Sequence, residues 1–431
     1  MVAVHPFAAL RYAGVAPEKM GEVTSPPYDV FTPEMRRAYH ARHPHNVARL
    51  IQGEFLPGET GDEGRIGRAA GCLARWRKEG VLAPDPRPAL YPYRQRFALP
   101  DGRRLERRAF FSAVRLENYG EGKIHPHEQT FPKPKGYLFG LWGRCGAHLG
   151  PIFAFYDDAR DSALSALAAS MAEPPLADFE EEGVRHTLWR CEDREAVRAV
   201  QGALADKEAF IADGHHRYET SLNLRDAARE RGTPPGGEAD RALMCLANAK
   251  DPGMAILPTH RLLKKVGAPP AEALARLGGR YEVIEEPPPA AGEGAAVARR
   301  LGELGENGRT AFCLYEGGGP LRYLLRRGEG SPAGEGVTAL DVSRLHAEVI
   351  EGALRASHEE ADMGFTPDPE AALAAARRGE CKAALLLNPT AIEAVCRIAK
   401  AGGRMPHKST YFYPKLRTGL VIHAFAPPAA V

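Results

Sequence analysis

The segment AFIADGHHRYE, residues 209–219, concentrates side chains that can do chemistry. Asp213 can bind Mg²⁺ or act as a base, while His215 and His216 can donate hydrogen bonds or transfer a proton. Arg217 is the unusual member, because the first turn of a helix favours acids and a cation there opposes the helix dipole. An anion held between the helix end and the guanidinium removes this conflict through charge-assisted hydrogen bonds. The residue types therefore predict an anion-binding turn.

The sequence around these residues predicts the backbone that such a site needs. A short apolar strand ends at Asp213, Gly214 allows a tight turn, and helix formers continue to about residue 231. A strand, a glycine turn and a helix N-terminus present free backbone N–H groups and the positive end of the helix dipole to an anion. We therefore predict strand, turn and helix over 209–231, with Arg217 in the first helical turn.

A structural interpretation of the same segment stays open. Asp213 can serve as the N-cap of the helix, and Arg217 can pair with a surface acid such as Glu219 or Asp226. The two interpretations differ in what surrounds the Arg217 guanidinium, which is either a bound anion or a local carboxylate.

The segment HPHEQTFPKPK, residues 125–135, offers a second set of polar side chains. His127 and Glu128 can hydrogen-bond a polar substrate or each other, and Lys133 and Lys135 can reach phosphates. A zinc site is an alternative, but the segment supplies only two ligands of the kind that zinc prefers. We therefore place these four residues around the substrate or in a second layer of the site.

Two later segments carry polar residues whose role the sequence leaves open. GGRMPHKST, residues 402–410, has the spacing of a P-loop, but a histidine replaces the glycine that must precede the lysine, so we exclude a P-loop. Lys408 and Ser409, with Lys415 further on, either line the site or belong to a surface loop. His260 follows a predicted strand and is either a pocket residue or a structural one.

Five motifs occur in a fixed order along the chain. They are SPPYDVFTPEMRRAYHARHPHNVARLI (25–51), HEQT (127–130), DGHHRYE (213–219), DPGMAILPTHRLL (251–263) and MPHKSTYFYPKLRTGLVI (405–422). Together they resemble the bacterial domain-of-unknown-function 1015 family from about residue 5 to 425. The Asp-Gly-His-x-Arg turn also resembles that of the free-serine kinases of the ParB/sulfiredoxin superfamily.

The resemblance implies a fold and a ligand. The fold is α+β mixed, with a ParB/sulfiredoxin-like nucleotide-binding core and additional α/β segments. In that superfamily the turn and the following helix bind nucleotide phosphates, which implies a phosphate site at Gly214, His215, His216 and Arg217. The implied cofactors are ATP or ADP and Mg²⁺, with Asp213 as the metal ligand.

The resemblance also implies which residues are catalytic. Serine kinases of the superfamily carry a catalytic Glu in the loop ahead of the corresponding helix. Asp29 is the acid nearest to that place, in the proline-rich loop before a helix that starts near Thr32 or Pro33. Asp29 is therefore the candidate base that deprotonates a substrate hydroxyl, with Asp213 and His215 as further catalytic candidates. A turn-capping role for Asp29 is the alternative.

Two other activities of the superfamily do not fit this sequence. Sulfiredoxins place a catalytic Cys in Gly-Cys-His-Arg, where this chain has His215, and the nearest cysteines, Cys191 and Cys245, lie on other predicted strands. ParB-type proteins add DNA-binding helices, and we find no helix-turn-helix with basic recognition residues in the sequence.

Composition indicates a folded protein of two or three domains. The 431 residues are 44% hydrophobic and 26% charged, which is ordinary for a globular chain. Lys and Arg total 57 against 55 Asp and Glu, a net charge of +2 that gives no case for binding nucleic acid or an anionic membrane. The sequence shows no signal peptide and no apolar run long enough to span a bilayer. Seven scattered Cys predict free thiols, and hence a cytoplasmic protein.

The hydrophobic pattern predicts alternating strands and helices. The predicted strands are 110–116, 150–156, 186–191, 209–213 and 242–249. The predicted helices are 162–171, 193–205, 216–231, 341–355 and 391–401. The other predicted elements are a hairpin over 310–327 and strands at 383–389 and 419–425. We divide the chain into a core at 1–285, with an inserted segment around 91–184, and a C-terminal α/β region at 286–431.

The residues and the resemblance together predict a function. It is a nucleotide-dependent kinase that phosphorylates a hydroxyl group of a small molecule, with free L-serine as the first candidate substrate. The alternative is a non-catalytic nucleotide-binding regulatory or interaction protein with the same fold. Both hypotheses have a nucleotide as the partner and neither involves nucleic acid or a membrane. The oligomeric state does not follow from the sequence.

Overall fold

The computed structural model describes residues 2–328, 336–357, 362–406 and 408–425. The strands are β1 Val4–His5, β2 Leu10–Tyr12, β3 Leu82–Pro84, β4 Tyr91–Ala98, β5 Arg104–Arg115, β6 Ile124–His125, β7 Ala147–His148, β8 Ile152–Tyr156, β9 Ala177–Glu181, β10 Val184–Leu188, β11 Ala209–Asp213, β12 Arg241–Asn248, β13 Ala255–Leu257, β14 His260–Leu263, β15 Tyr281–Glu286, β16 Ala311–Tyr315, β17 Leu321–Arg326, β18 Met363–Thr366, β19 Ala383–Leu387, β20 Tyr411–Tyr413 and β21 His423–Ala424.

Among the described residues, helices lie in ten of the twenty connections between these strands. The α-helices are α1 Met20–Val23, α2 Pro33–Arg42, α3 Ala48–Ile51, α4 Glu63–Lys78, α5 Pro132–Cys145, α6 Ser162–Ala166, α7 Arg194–Leu204, α8 His215–Glu230, α9 Pro270–Leu277, α10 Gly294–Leu304, α11 Asp341–Arg344, α12 Pro369–Arg377 and α13 Ile392–Lys400. The 3-10 helices are Pro17–Lys19, Tyr28–Val30, Ala169–Ala172, Glu238–Asp240, Glu306–Gly308 and Val337–Ala339. A π-helical stretch, Leu345–Ala353, follows α11 directly.

The larger of two main sheets has nine strands and positions the turn at residue 214. Its order is β6-β11-β8-β12-β5-β4-β10-β9, with β1 also paired to β5. The β11–β6 and β12–β8 pairs are parallel and the other pairs are antiparallel. Strand β12 is buried along almost its whole length, because apolar side chains pack on both faces of the sheet. Strand β11 lies next to the edge, so the helix that follows it starts at the border of the sheet.

The second sheet has six strands in the order β15-β17-β16-β19-β14-β18, all antiparallel. Helices α10 and α12 cover one face with a buried core that includes Leu301, Tyr323 and Leu373. Strands β14 and β15 precede residue 287 and pair with strands that follow it. The division of the chain at 285/286 stays a prediction.

After the second sheet the chain returns to the first. Strand β20 pairs with β13, β21 pairs with β7, and Thr418 exchanges backbone hydrogen bonds with Ser25. The Ser25–Thr418 pair places the end of segment 409–418 beside the loop at 25–31. The contact of Thr410 with His127 places its start beside the segment that follows β6.

The predicted mixed α/β class is correct, and most predicted elements are present. Four of the five predicted strands, the hairpin strands β16 and β17, and the helices at 193–205, 216–231 and 391–401 match to within a few residues, while the strand predicted at 110–116 begins six residues earlier, at Arg104. The predicted strand at 419–425 is wrong except for His423–Ala424, because its partner β7 is only two residues long. The predicted helix at 162–171 is shorter, since α6 ends at Ala166. In the described part of the chain no helix is long and apolar enough to cross a bilayer.

Candidate functional site

The turn between β11 and α8 has the predicted geometry. Strand β11 ends at Asp213, Gly214 has φ +94°, and α8 begins at His215, with Arg217 in its first turn. A Cβ added to Gly214 would lie 2.8 Å from Arg217 Nε. The turn therefore needs glycine for two reasons, its left-handed backbone and the close approach of the guanidinium.

The N-terminus of α8 is uncapped. Gly214 has no side chain to accept a hydrogen bond, and the first turn contains no acid. The first backbone bond of the helix runs from Tyr218 N to Gly214 O, at 2.9 Å, which leaves the preceding N–H groups without intrahelical acceptors. No described side chain caps the N–H groups of His215, His216 or Arg217. An uncapped helix start of this kind is suited to an anion.

Arg217 lies beneath this turn and is only 2% exposed. Its guanidinium donates to the Asp213 carboxylate and to the carbonyl oxygen of Pro151. Burial opposes the charge, but the carboxylates of Asp213 and Asp29 outweigh it and raise the pKa of Arg217. The local ion pair of the structural interpretation therefore exists, but its partner is Asp213 and neither Glu219 nor Asp226.

Lys415 completes the cluster from the far end of the chain. Its Nζ lies 2.8 Å from Asp213 Oδ1, so the Asp213 carboxylate bridges two cations. Burial works against ionisation of Asp213, yet Lys415 and Arg217 hold its pKa well below the usual range. Burial likewise opposes the ammonium charge, but Asp213 and Asp29 raise the pKa of Lys415.

The segment after β6 is hydrogen-bonded to the first turn of α8. The His127 N–H donates to His215 Nε2 at 3.2 Å, which leaves His215 Nδ1 to carry the proton and face Glu128 Oε2 at 3.4 Å. Although burial raises the pKa of Glu128, its hydrogen bond to His215 prevails and lowers that pKa to about 2. Burial lowers the pKa of His127 to about 3, and its Nε2 lies 3.0 Å from Thr410 Oγ1. Both ring nitrogens of His215 are thus engaged in holding the segment.

Three more contacts extend this connection. Glu219 Oε2 accepts hydrogen bonds from Thr130 Oγ1 at 2.6 Å and from Lys135 Nζ at 2.7 Å. The Phe131 N–H donates to His216 Nε2 at 2.9 Å. The roles of Thr130 and Glu219 do not follow from the sequence, although Glu219 lies four residues after His215 and so on the same face of α8.

Asp29 lies in the same electrostatic neighbourhood but is not paired. It belongs to the 3-10 helix Tyr28–Val30, and its side chain is exposed. Its negative charge contributes to the raised pKa values of Arg217 and Lys415, and it partly offsets the lowering of the His216 pKa by burial and by His215. Asp29 makes no hydrogen bond or ion pair with any described residue. Asp29 is the acid that the resemblance suggests as the base. Its loop lines cavities with Arg217 and Lys415, so the fold brings this loop to the cationic cluster.

The remaining candidates lie outside these contacts. Lys133 and Lys408 are exposed, and the Lys408 carbonyl accepts from Arg261 Nη2 at 3.2 Å. Ser409 is buried and donates to the Pro406 carbonyl. His260 is buried in β14 and lines a separate cavity of about 700 Å³. Within the described residues, no contact joins the Lys133, Lys408, Ser409 or His260 side chains to the turn. His407, which replaces the P-loop glycine, lies outside the described residues.

Asp213 does not fit the predicted Mg²⁺ site. Mg²⁺ takes oxygen ligands, but both carboxylate oxygens of Asp213 are bound by the cations Arg217 and Lys415. Of the four carboxylates at the site, Glu128, Glu219 and Asp213 are engaged by protein donors and Asp29 is not. In the ranges that the structure describes, no group of three or more His, Cys, Asp or Glu side chains is placed to hold a metal ion. We therefore assign no catalytic step to a protein-bound metal.

The fold and the site define a mixed α/β protein with a glycine turn, an uncapped helix N-terminus and a buried cluster of two cations around Asp213. The chain belongs to the family described as "Protein of unknown function (DUF1015)", whose model matches residues 4–343. The predicted family membership is confirmed. The match ends before residues 405–422, so Lys415 lies beyond it. No curated protein matches the sequence.

Several solved structures are similar over much of their length. A free serine kinase in complex with AMP is 16% identical, with 69% of this chain and 88% of that chain covered and a TM-score of 0.33. A conserved hypothetical protein from Pyrococcus furiosus is 17% identical, with 68% and 90% covered and a TM-score of 0.30. SbnI with a C-terminal truncation, from Staphylococcus aureus, is 11% identical, with 72% and 86% covered and a TM-score of 0.32. At these TM-scores the similarities do not bear on the chemistry of this chain.

Proposed function

We propose that this protein is a nucleotide-dependent small-molecule kinase. One observation carries the proposal: the loop that bears the unpaired Asp29 shares the wall of one cavity with Arg217 and of another with Lys415, beside a helix N-terminus that no described side chain caps. A helix N-terminus that can bind phosphate and a carboxylate that can accept a proton are the groups that such a reaction needs, because phosphoryl transfer depends mostly on positioning and charge neutralisation. Free L-serine is the first substrate to test, because the DGHHRYE turn resembles that of serine kinases.

In the proposed complex the phosphates of ATP or ADP lie at the start of α8. The backbone N–H groups of residues 215–217 donate to phosphate oxygens, and Gly214 lets the ligand approach the backbone closely. Lys415 is 17% exposed at its side chain and supplies a positive charge beside Asp213 at the start of the turn. Arg217 is almost fully buried, so it acts as a positioning residue that holds Asp213 and the turn.

Asp29 is the proposed general base. It takes the proton of the substrate hydroxyl, whose oxygen then forms a bond to the transferred phosphorus while the bond from that phosphorus to the nucleotide oxygen breaks. The proton stays on Asp29 until it passes to solvent, and the nucleotide leaves one phosphate shorter. His215 is less suited to this step, because both of its ring nitrogens are engaged by the 127–128 segment.

The test compares Asp29→Asn with Asp206→Asn. Asp206 is also exposed, and its carboxylate forms no hydrogen bond or ion pair with a described residue, so its replacement controls for the loss of one surface charge. Phosphorus NMR of ATP or ADP with L-serine, Mg²⁺ and each protein measures turnover, and calorimetric titration measures nucleotide binding. We expect Asp29→Asn to bind nucleotide normally and to lose about 10²- to 10⁴-fold in turnover.

The outcomes separate the hypotheses. Equal turnover in Asp29→Asn and the wild type would remove Asp29 from the mechanism. Nucleotide binding without transfer to L-serine or to a panel of other hydroxyl compounds would favour the non-catalytic alternative. Absence of binding of ATP and ADP by the wild type, with Mg²⁺ present, would contradict both.

A further inference from the structure

A cavity of about 600 Å³, lined mostly by polar residues, lies beside the C-terminal half of α8. It is lined by four arginines from three elements, Arg115 at the end of β5, Arg225 and Arg229 on α8, and Arg241 at the start of β12. His5 of β1 also faces it. The first half of α8 carries the proposed phosphate turn, so this cavity is distinct from that site.

The acids of this cavity are already used to hold its walls. Glu117 accepts a hydrogen bond from the Lys123 N–H at 2.7 Å, and Glu121 accepts one from Asn118 Nδ2 at 2.8 Å. Asp240 accepts from the Gly236 N–H and from Arg229. These carboxylates therefore fix the two loops that border the cavity.

The arginines keep unused donors. A guanidinium has five N–H donors. Arg225, which is 5% exposed, directs Nε and Nη2 to Asp226, both at 2.8 Å, and Nη2 also to Asn118 at 2.7 Å, which leaves Nη1 without a described acceptor. Arg229 donates from Nη2 to Asp240 at 3.0 Å, and Arg115 lies 3.5 Å from its nearest carboxylate, Glu117.

Arg241 donates from Nη1 to Glu238 at 2.6 Å, and no further bond of its guanidinium to a described residue is found. Each of the four guanidiniums therefore keeps N–H groups that no described residue accepts, and the lining holds four arginines against the three acids Glu117, Glu121 and Asp240. The pKa of His5, which lines the cavity, is lowered by burial and by the positive charges of Arg241 and Arg115. Glu238 only partly opposes this lowering of the pKa. A cavity with spare cationic donors favours an anion.

We propose that this cavity binds a small phosphorylated metabolite. A phosphate monoester carries nearly two negative charges and three terminal oxygens, so it can use more guanidinium donors than a carboxylate with two oxygens. The volume suits a ligand of sugar-phosphate size. Asn118 and Glu121, both exposed on one wall, can bind the hydroxyl groups of such a ligand.

Calorimetric titration with glycerol 3-phosphate, glucose 6-phosphate, inorganic phosphate, citrate and glucose tests the proposal. The variants are Arg115→Ala and Arg229→Ala, whose side chains are 58% and 45% exposed, so folding is at little risk. The matched control is Arg378→Ala, because Arg378 is 59% exposed and pairs with Glu380 two residues later, as Arg115 does with Glu117. Lys415→Met serves as a control for the turn at 213–217.

We expect the wild type to bind at least one phosphate ester more tightly than glucose and citrate. Each cavity variant should weaken that binding about 10-fold, while Arg378→Ala and Lys415→Met keep it. Three results would overturn the proposal: no binding of either phosphate ester below ~10 mM, equal binding by the cavity variants and the wild type, or loss of binding in Lys415→Met alone. None of these results depends on whether the protein is a kinase.

Discussion

Lys415 Nζ lies 2.8 Å from Asp213 Oδ1, although the two residues are 202 positions apart in the sequence. The contact attaches the C-terminal segment to the end of β11, and it makes the C-terminal segment part of the site. Asp213 thereby shares its charge between a lysine from beyond the region of the family match and an arginine four residues further along the chain. The stability of the turn and its ligand affinity should both depend on this lysine.

Lys415→Met should lower the free energy of unfolding by about 1.5–3 kcal/mol, because it removes a charge-assisted hydrogen bond from a largely buried carboxylate. It should also weaken nucleotide binding at the turn. Urea denaturation measures the first effect and calorimetry the second. Lys265→Met is the control, since Lys265 forms an ion pair of the same length with Asp362 but is 78% exposed, so its loss should cost less than about 1 kcal/mol. Equal costs for the two lysines would contradict the assignment.

Gly214→Ala should destabilise the protein more than Gly232→Ala does. Both glycines have positive φ, +94° and +86°, so both replacements impose the left-handed penalty of about 1–2 kcal/mol. Only at Gly214 would the new Cβ meet Arg217 Nε at 2.8 Å, whereas nothing lies within 4 Å at Gly232. The clash should add about 1–3 kcal/mol. Chemical denaturation of the two variants decides this, and an equal loss would show that the guanidinium moves aside freely.

Stability should fall as the pH drops from 7 to 5. Burial lowers the pKa of His127 and His260 to about 3 and that of His186 well below its ordinary value of 6.5. The unfolded chain therefore takes up these protons first, and stability is lost from pH 6.5 downwards, by about 1.4 kcal/mol per pH unit for each neutral histidine. Carboxylates with lowered pKa values contribute only below about pH 4.5, where unfolded Glu and Asp begin to titrate.

His186→Asn isolates one of these protons. The His186 ring is buried, and its Nδ1 lies 2.6 Å from the Tyr93 hydroxyl, a position that the Asn amide can occupy. Urea denaturation at several pH values should give a slope between pH 5 and 6 that is smaller by close to one proton than in the wild type. An unchanged slope would mean that His186 is protonated in the folded protein. The comparison of slopes holds even if the variant is less stable at every pH.

The strand, turn and helix at 209–230 could be predicted because their signals are local. An apolar run, a glycine and a series of helix formers lie within about twenty residues, and no distant segment is needed to specify them. The strand predicted at 419–425 is largely absent for the opposite reason. Leu420, Val421 and Ile422 are buried by packing, with hydrogen bonds that mostly do not form a ladder, and an apolar pattern alone cannot distinguish these cases.

The partners of the site residues were harder to predict. Arg217 and Asp213 have the i,i+4 spacing of ion pairs on a helix. Asp213 is nevertheless the last residue of a strand and precedes a left-handed glycine, so the rule for residues within one helix does not predict their contact. The contacts of Lys415 and Thr410 depend on the return of the chain after the six-stranded sheet, which leaves no periodic signal. Asp29 was selected by resemblance, and the fold brings it near the cations, but its role as a base stays a prediction.

Asp213→Asn should make the site bind inorganic phosphate more tightly than the wild type does. The replacement leaves Lys415 and Arg217 buried without their shared carboxylate, so stability should fall by about 3–5 kcal/mol. Added inorganic phosphate should then restore stability more in the variant than in the wild type, because phosphate no longer competes with Asp213 for the two cations. Thermal melts with increasing phosphate measure this difference.

The control for this prediction is Asp178→Asn. Asp178 accepts two hydrogen bonds from Arg185 on the β9–β10 hairpin, so its loss also leaves an arginine without its partner, but away from the turn and in a more exposed place. Phosphate should stabilise the Asp178 variant no more than the wild type.

The same melts with ATP or ADP distinguish two roles of Asp213. If Asp213 only neutralises the cations, Asp213→Asn binds nucleotide at least as tightly as the wild type. If it binds the ligand through a metal ion, the variant binds nucleotide more weakly in Mg²⁺ and equally in its absence, and phosphate gives no selective rescue.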